Sequence, residues 1–121
     1  MKQEEFNEQF RNRTKGLALS VIGVVGDLGY SDALGILRKQ LVRSVTSEAA
    51  NFRAVCRARS QRERFSKLCI VVEEADETLF WLEMMAKGKF ISKEKIDCLY
   101  NEAEEILKVM SSFKKRLSQN P

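Results

Sequence analysis

Apolar residues recur at spacings of three and four along almost the whole chain, and four stretches carry the pattern. From about Phe6 to Leu28, one helical face holds Phe6, Phe10, Leu17, Val21, Val24 and Leu28. From about Asp32 to Ala58 the stripe is Leu34, Leu37, Leu41, Val45, Phe52 and Val55. From about Gln61 to Lys87, Phe65, Leu68, Val72, Ala75, Leu79 and Leu82 form a heptad seam. The last stripe, over about 92–118, is Leu99, Ala103, Ile106, Met110, Phe113 and Leu117. Helix ends are marked as well. Gly29 is a C-cap candidate, and Ser31 or Asp32 an N-cap. Ser60 to Glu63 has the capping-box form. Gly88 stops the third helix, and Ser92 is placed to cap the fourth. There Glu94 and Asp97 lie early and Lys114, Lys115 and Arg116 late, which suits the helix dipole. The tail from Ser118 to Pro121 is expected to fray. Four helices joined by short turns predict an all-α, antiparallel up-down-up-down bundle, a single domain over residues 1–121.

Several positions break the simple stripes. Gly16, Ser20 and Gly23 line the flank of the first helix. Glycine inside a helix costs about 1 kcal/mol relative to alanine. The stripe therefore reads either as room for a close helix or as a tolerated weakness. On the second helix, Gln40, Ser44, Ser47 and Asn51 make a small polar line, with Lys39, Arg43, Ala50, Arg53 and Arg57 opposite the core. Glu48 falls at the core's own angle and needs a cation, a donor or water. The third helix is apolar on a second side, through Ile70, Val71, Trp81 and Met85, beside Glu74, Glu77 and Thr78. A helix apolar on two sides is buried on two sides, which predicts self-association. The interface residues expected are Arg43, Asn51, Arg53, Ile70, Glu74, Glu77, Trp81 and Met85.

Composition narrows the function classes. At 121 residues, a domain buries roughly two-thirds of its unfolded surface. No apolar run reaches the ~18 residues of a membrane span. The acidic, polar start is no secretory signal, so a cytoplasmic location is expected. Cys56, Cys69 and Cys98 fit neither a disulfide framework nor a metal motif, and are expected to be reduced, packed thiols. Histidine is absent, and with it the commonest general base and metal ligand. Glu73, Glu74, Asp76, Glu77 and Glu83 mostly point outward, which fits solvation or arginine pairing better than a metal site. No metal, no cofactor and no enzymatic activity are expected.

The net charge of +4 is unevenly placed: residues 1–67 carry +6 and residues 68–121 carry −2. Arg59, Arg62, Arg64 and Lys67 crowd the turn between the second and third helices, and Arg57 adjoins them. Like charges this close repel unless an anion or an acidic partner is present. Phosphates of RNA or DNA are one such partner. Carboxylates of the third helix, meeting arginines across a subunit interface, are the other. Arg43, Arg53 and Arg57 go mainly to the second reading and Arg59 to Lys67 to the first, with Arg57 also counted among the nucleic-acid candidates. The nearby aromatic, Phe65, belongs to the core stripe, so binding is expected to be backbone-directed and sequence-tolerant. An adaptor that docks on an acidic protein or nucleoprotein partner, with no direct nucleic-acid contact, is the alternative.

Residues 40–47 (QLVRSVTS), Ala50 to Arg53 and Arg57 to Ser60 resemble the second helix of the bacterial four-helix-bundle proteins encoded in intervening sequences of large-subunit ribosomal RNA genes. Phe65 to Leu68, Glu74 to Thr78 and Trp81 to Glu83 resemble that family's third helix, while the outer helices match by pattern. The resemblance implies an all-α bundle assembling as a homopentameric ring. It also implies kinship to the accessory bundle of diversity-generating retroelements, which binds nucleic acid and a reverse transcriptase. No enzymatic activity comes with it. The chain departs from the family at Glu48 and Ala49, where an apolar residue followed by a small one is usual.

Overall fold

Each turn between helices is at most five residues long, too short for anything but a reversal of direction. In the computed structural model, which describes residues 1–119, the helices are α1 (Gln3–Gly26), α2 (Asp32–Cys56), α3 (Gln61–Lys87) and α4 (Lys93–Gln119). Each packs on its sequence neighbour, α1 closes against α4, and the backbones of the diagonal pairs stay apart among the described residues. The result is a square four-helix bundle. No helix among the described residues is long and apolar enough to cross a membrane.

The caps explain most of the boundaries. Ser31 Oγ accepts from the Leu34 amide at 3.1 Å, and Ser60 Oγ from the Glu63 amide at 3.0 Å. Glu63 lies beside Arg59 at 3.8 Å. α1 stops at Gly26 with Asp27 as its cap, two residues before the expected Leu28. Gly29 needs no left-handed backbone, since no described glycine has a positive φ. That conformation falls instead on Lys89, at φ 62°. Gly88 is required for space: a Cβ there would lie 2.7 Å from Phe90 Cε2. α4 continues as helix through Ser118 and Gln119, against the expected fraying. Asn120 and Pro121 lie outside the described residues.

The core follows the predicted stripes in α1, α2 and α4, with Val21, Leu41, Val45, Phe52, Ile106 and Met110 fully enclosed. At the end where α1 begins, Phe6 stacks against Phe10 (4.8 Å), Phe52 (6.4 Å) and Phe113 (5.3 Å). Arg13 ties α1 to α4, with Nη2 2.6 Å from Glu102 Oε1 and its guanidinium 4.8 Å from the Phe10 ring centre. α3 departs from expectation. Val71 and Met85, assigned to its outer side, are 0% exposed, whereas Phe65 and Val72 of the seam are only half-buried. α3 lies between α2 and α4, so it buries a broad face within one chain. Much of its two-sided apolar character is therefore intramolecular. The large apolar side chains left outside on α3 are Phe80 and Met84, joined on α1 by Leu19 and Ile22.

Candidate nucleic-acid interface

The turn after α2 and the first two turns of α3 bring the basic cluster together. Arg57, Arg59 and Arg62 are exposed, and Arg64 and Lys67 are half-buried. Arg64 is held by the side chain of Gln61. One acid, Glu63, lies within residues 57–67, and its pairing with the almost fully exposed Arg59 is long. Such a pair contributes little. Arg57, Arg62, Arg64 and Lys67 form no ion pair among the described residues. Beside Arg62 opens a cleft of about 410 Å³, lined by Gln61, Arg62, Phe65, Leu117 and Ser118. Arg53 and Arg57 border a smaller groove of about 280 Å³ along α2.

The residues expected at a subunit interface do not stay together. Arg43, Glu74, Glu77 and Trp81 form one network, but within a single chain. Arg43 Nη1 lies 3.0 Å from Glu74 Oε2, Arg43 Nη2 lies 2.6 Å from Glu77 Oε1, and the Trp81 indole donates to that same oxygen at 3.0 Å. Arg43, and secondarily the indole, hold the Glu77 carboxyl below the usual carboxylate range. Arg43 is thus paired with α3 of its own chain. Asn51 bonds locally, donating to the Ser47 carbonyl (2.9 Å) and hydroxyl (3.1 Å). Ile70 is half-buried and Arg53 exposed. Met85 is a correction: fully enclosed in the core, it offers no surface.

Glu48 keeps the core position its angle predicts, with no cation paired to it among the described residues. The residue is 1% exposed, and neither carboxyl oxygen has a hydrogen-bond partner. Beside it the buried hydroxyls of Ser44 and Thr78 lie 3.0 Å apart; Thr78 also reaches the Glu74 carbonyl (2.8 Å) and Ser44 the Leu41 carbonyl (3.1 Å). Desolvation pushes the Glu48 carboxyl up to about 8; the Thr78 hydroxyl opposes the shift, and the charges of Glu74 and Glu102 add to it. At neutral pH Glu48 is a buried, uncharged acid. Ser44, Thr78 and Thr14 were not predicted to be buried. Each hydroxyl bonds to the preceding turn of its own helix, as Thr14 does to the Phe10 carbonyl at 2.8 Å, so it brings no unmet need into the core.

The cysteines are free. Cys98 is exposed, against the expectation of three packed thiols, because it falls on the outer face of α4. Burial pushes the Cys56 thiol up, although nearby Arg11 favours the thiolate. Among the described residues no group of three or more Cys, Asp or Glu is arranged to hold a metal ion.

The model of one protein family, described as 23S rRNA-intervening sequence protein, matches residues 7–112. Among solved structures, a protein of unknown function from Bacteroides thetaiotaomicron VPI-5482, placed in the S23 ribosomal protein family, superposes with a TM-score of 0.82 at 28% identity. The match covers 90% of this chain and 97% of that one. No curated protein is significantly similar to the chain.

Proposed function

The chain belongs to the family of 23S rRNA-intervening sequence proteins, and from that premise we propose that it is a non-enzymatic bundle that assembles into a ring of copies of itself and binds RNA or DNA through its basic end. The observation that carries the binding is the cluster of Arg57, Arg59, Arg62, Arg64 and Lys67, five cations with one acid among them. Such a cluster is self-repelling until phosphates neutralise it, and the contacts it offers are to the backbone. A homopentamer, the state the resemblance implies, would present five such clusters and add avidity. Exposed Leu19 and Ile22 on α1, and Phe80 and Met84 on α3, supply the apolar surface that assembly needs.

A salt titration with generic oligonucleotides tests the binding. Affinity falls steeply between about 50 and 200 mM salt if phosphates are the partner. No binding even at low salt overturns it. Light scattering tests the assembly, and a monomer's mass at micromolar concentration overturns the ring. One observation favours a protein-docking adaptor as the second reading. Leu19, Ile36, Phe80 and Met84 lie toward the end of the bundle opposite the basic turn, where a partner could dock without meeting it. Retention of an acidic protein together with indifference to oligonucleotides would establish that reading instead.

A further inference from the structure

Phe65 opens the core stripe of α3 and Leu117 closes that of α4, at one end of the bundle, where the interior is ordinarily sealed. Here it stays open. Both side chains are half-buried, and they line the cleft of about 410 Å³ between the start of α3 and the end of α4. That volume lies in the range of small-molecule sites, which are mostly apolar with a few polar groups at the edge. The cleft has that character: Phe65 and Leu117 are its apolar walls, while Gln61, Arg62 and Ser118 bring hydrogen-bonding groups. Arg62 is exposed and free of ion pairs among the described residues, and Arg59 and Arg64 neighbour it in sequence.

An apolar slot with a guanidinium free of ion pairs among the described residues at its edge suits a flat, weakly polar ring that carries a phosphate close by. A nucleotide has that form. The carboxylates of an acidic peptide sit on flexible stems and would leave the slot empty. We propose that the cleft takes one unstacked base of a single-stranded nucleic acid, its ring against Phe65 and Leu117 and its phosphates toward Arg62 and its neighbours. This rests on the reading of the basic end as a nucleic-acid surface and adds a base contact to it. Because every base has a π-face, the contact is sequence-tolerant. It also selects single strands over duplexes, whose bases are stacked away.

The test compares a short single-stranded oligonucleotide with an abasic strand of the same length and charge, on the full chain. The base-containing strand is expected to bind roughly tenfold tighter. Leu117→Trp, which fills the cleft, should remove that advantage and leave abasic binding unchanged. Phe65→Leu, which keeps an apolar side chain but not the ring, should reduce it, and thermal melts confirm that each variant folds. Equal affinity for the two strands overturns the base contact while the phosphate reading stands. An advantage that survives both substitutions places the base elsewhere and also overturns it. Failure of both strands to bind at low salt removes the underlying reading itself.

Discussion

Glu48 on α2 faces Thr78 on α3 inside the core, where the one hydroxyl hydrogen of Thr78 is shared between Ser44 Oγ and the Glu74 carbonyl and burial dominates the carboxyl's electrostatics. Desolvation keeps the carboxyl protonated at neutral pH in the fold, at a pKa of about 8 against an ordinary value of 4.5. Below 4.5 both folded and unfolded chains keep the proton, and Glu48 favours neither. Between 4.5 and about 8 the unfolded chain releases it while the folded chain holds it, so stability falls as pH rises; above that the loss is complete. Melts between pH 5 and pH 8 should show a decline on the order of 3 kcal/mol. Glu48→Gln should flatten the profile across this window. Glu48→Met, which also removes the unmet polar atoms, should raise stability at pH 8 by a few kcal/mol. A wild-type profile already flat from pH 5 to 8 would show that the carboxyl is ionised in the fold.

Glu77 has the opposite sign. Arg43 depresses its pKa, so its contribution is present above the usual carboxylate range and is lost as acid protonates it. The pair is well exposed, with 47% of the Arg43 side chain and 35% of the Glu77 side chain accessible, so solvent screens it strongly. Glu77→Ala should cost less than about 1 kcal/mol. Its clearer consequence is optical. Trp81 is the sole tryptophan and donates its indole hydrogen to Glu77, so the emission maximum should shift on substitution. An unchanged emission spectrum would mean that the indole is not held there in solution.

The glycines of α1 separate two explanations of one stripe. A Cβ added at Gly16 or Gly23 would meet nothing within 4 Å, so no helix of the same chain uses the space. For a monomer, Gly16→Ala and Gly23→Ala should each stabilise the fold by up to about 1 kcal/mol. If another subunit's helix packs against that face, the same substitutions should lower the assembled mass. Gly88→Ala should go the other way in any state, because its methyl group would crowd the Phe90 ring. Equilibrium unfolding and light scattering on the three variants read both effects.

The four helices were legible because their apolar residues repeat at three and four, a spacing that reports a face without knowledge of the neighbours. How broad that face is was not legible. Val71 and Met85 read as a second apolar side that another subunit covers, whereas α3, with α2 and α4 on its two flanks, buries both within one chain. Arg43 and its carboxylates were readable as partners by type, but spacing along a helix does not say whether the partner helix belongs to the same chain. The cleft at Phe65 was hidden for a related reason: a stripe gives the direction of the core and not the point where its walls stop meeting. Glu48 was conspicuous from the start, since a carboxyl at a core angle conflicts with its surroundings whatever the details.

The basic end yields the sharpest contrast between two arginines. Arg43 is engaged by Glu74 and Glu77, while Arg62 forms no ion pair among the described residues and borders the open cleft. Each cation that neutralises a phosphate of a single strand contributes about −0.7 to the slope of log K against log salt. Arg62→Gln should therefore weaken oligonucleotide binding at low salt and make the slope shallower by about that amount, and Arg59→Gln should do the same. Arg43→Gln should leave the slope unchanged, since its charge is already matched within the chain. Glu63→Gln should strengthen binding, by releasing Arg59 and removing the one acid of the cluster. If Arg43→Gln moved the slope as much as Arg62→Gln, the phosphate track would run along the face of α2 and α3, and the cleft would lie off its path.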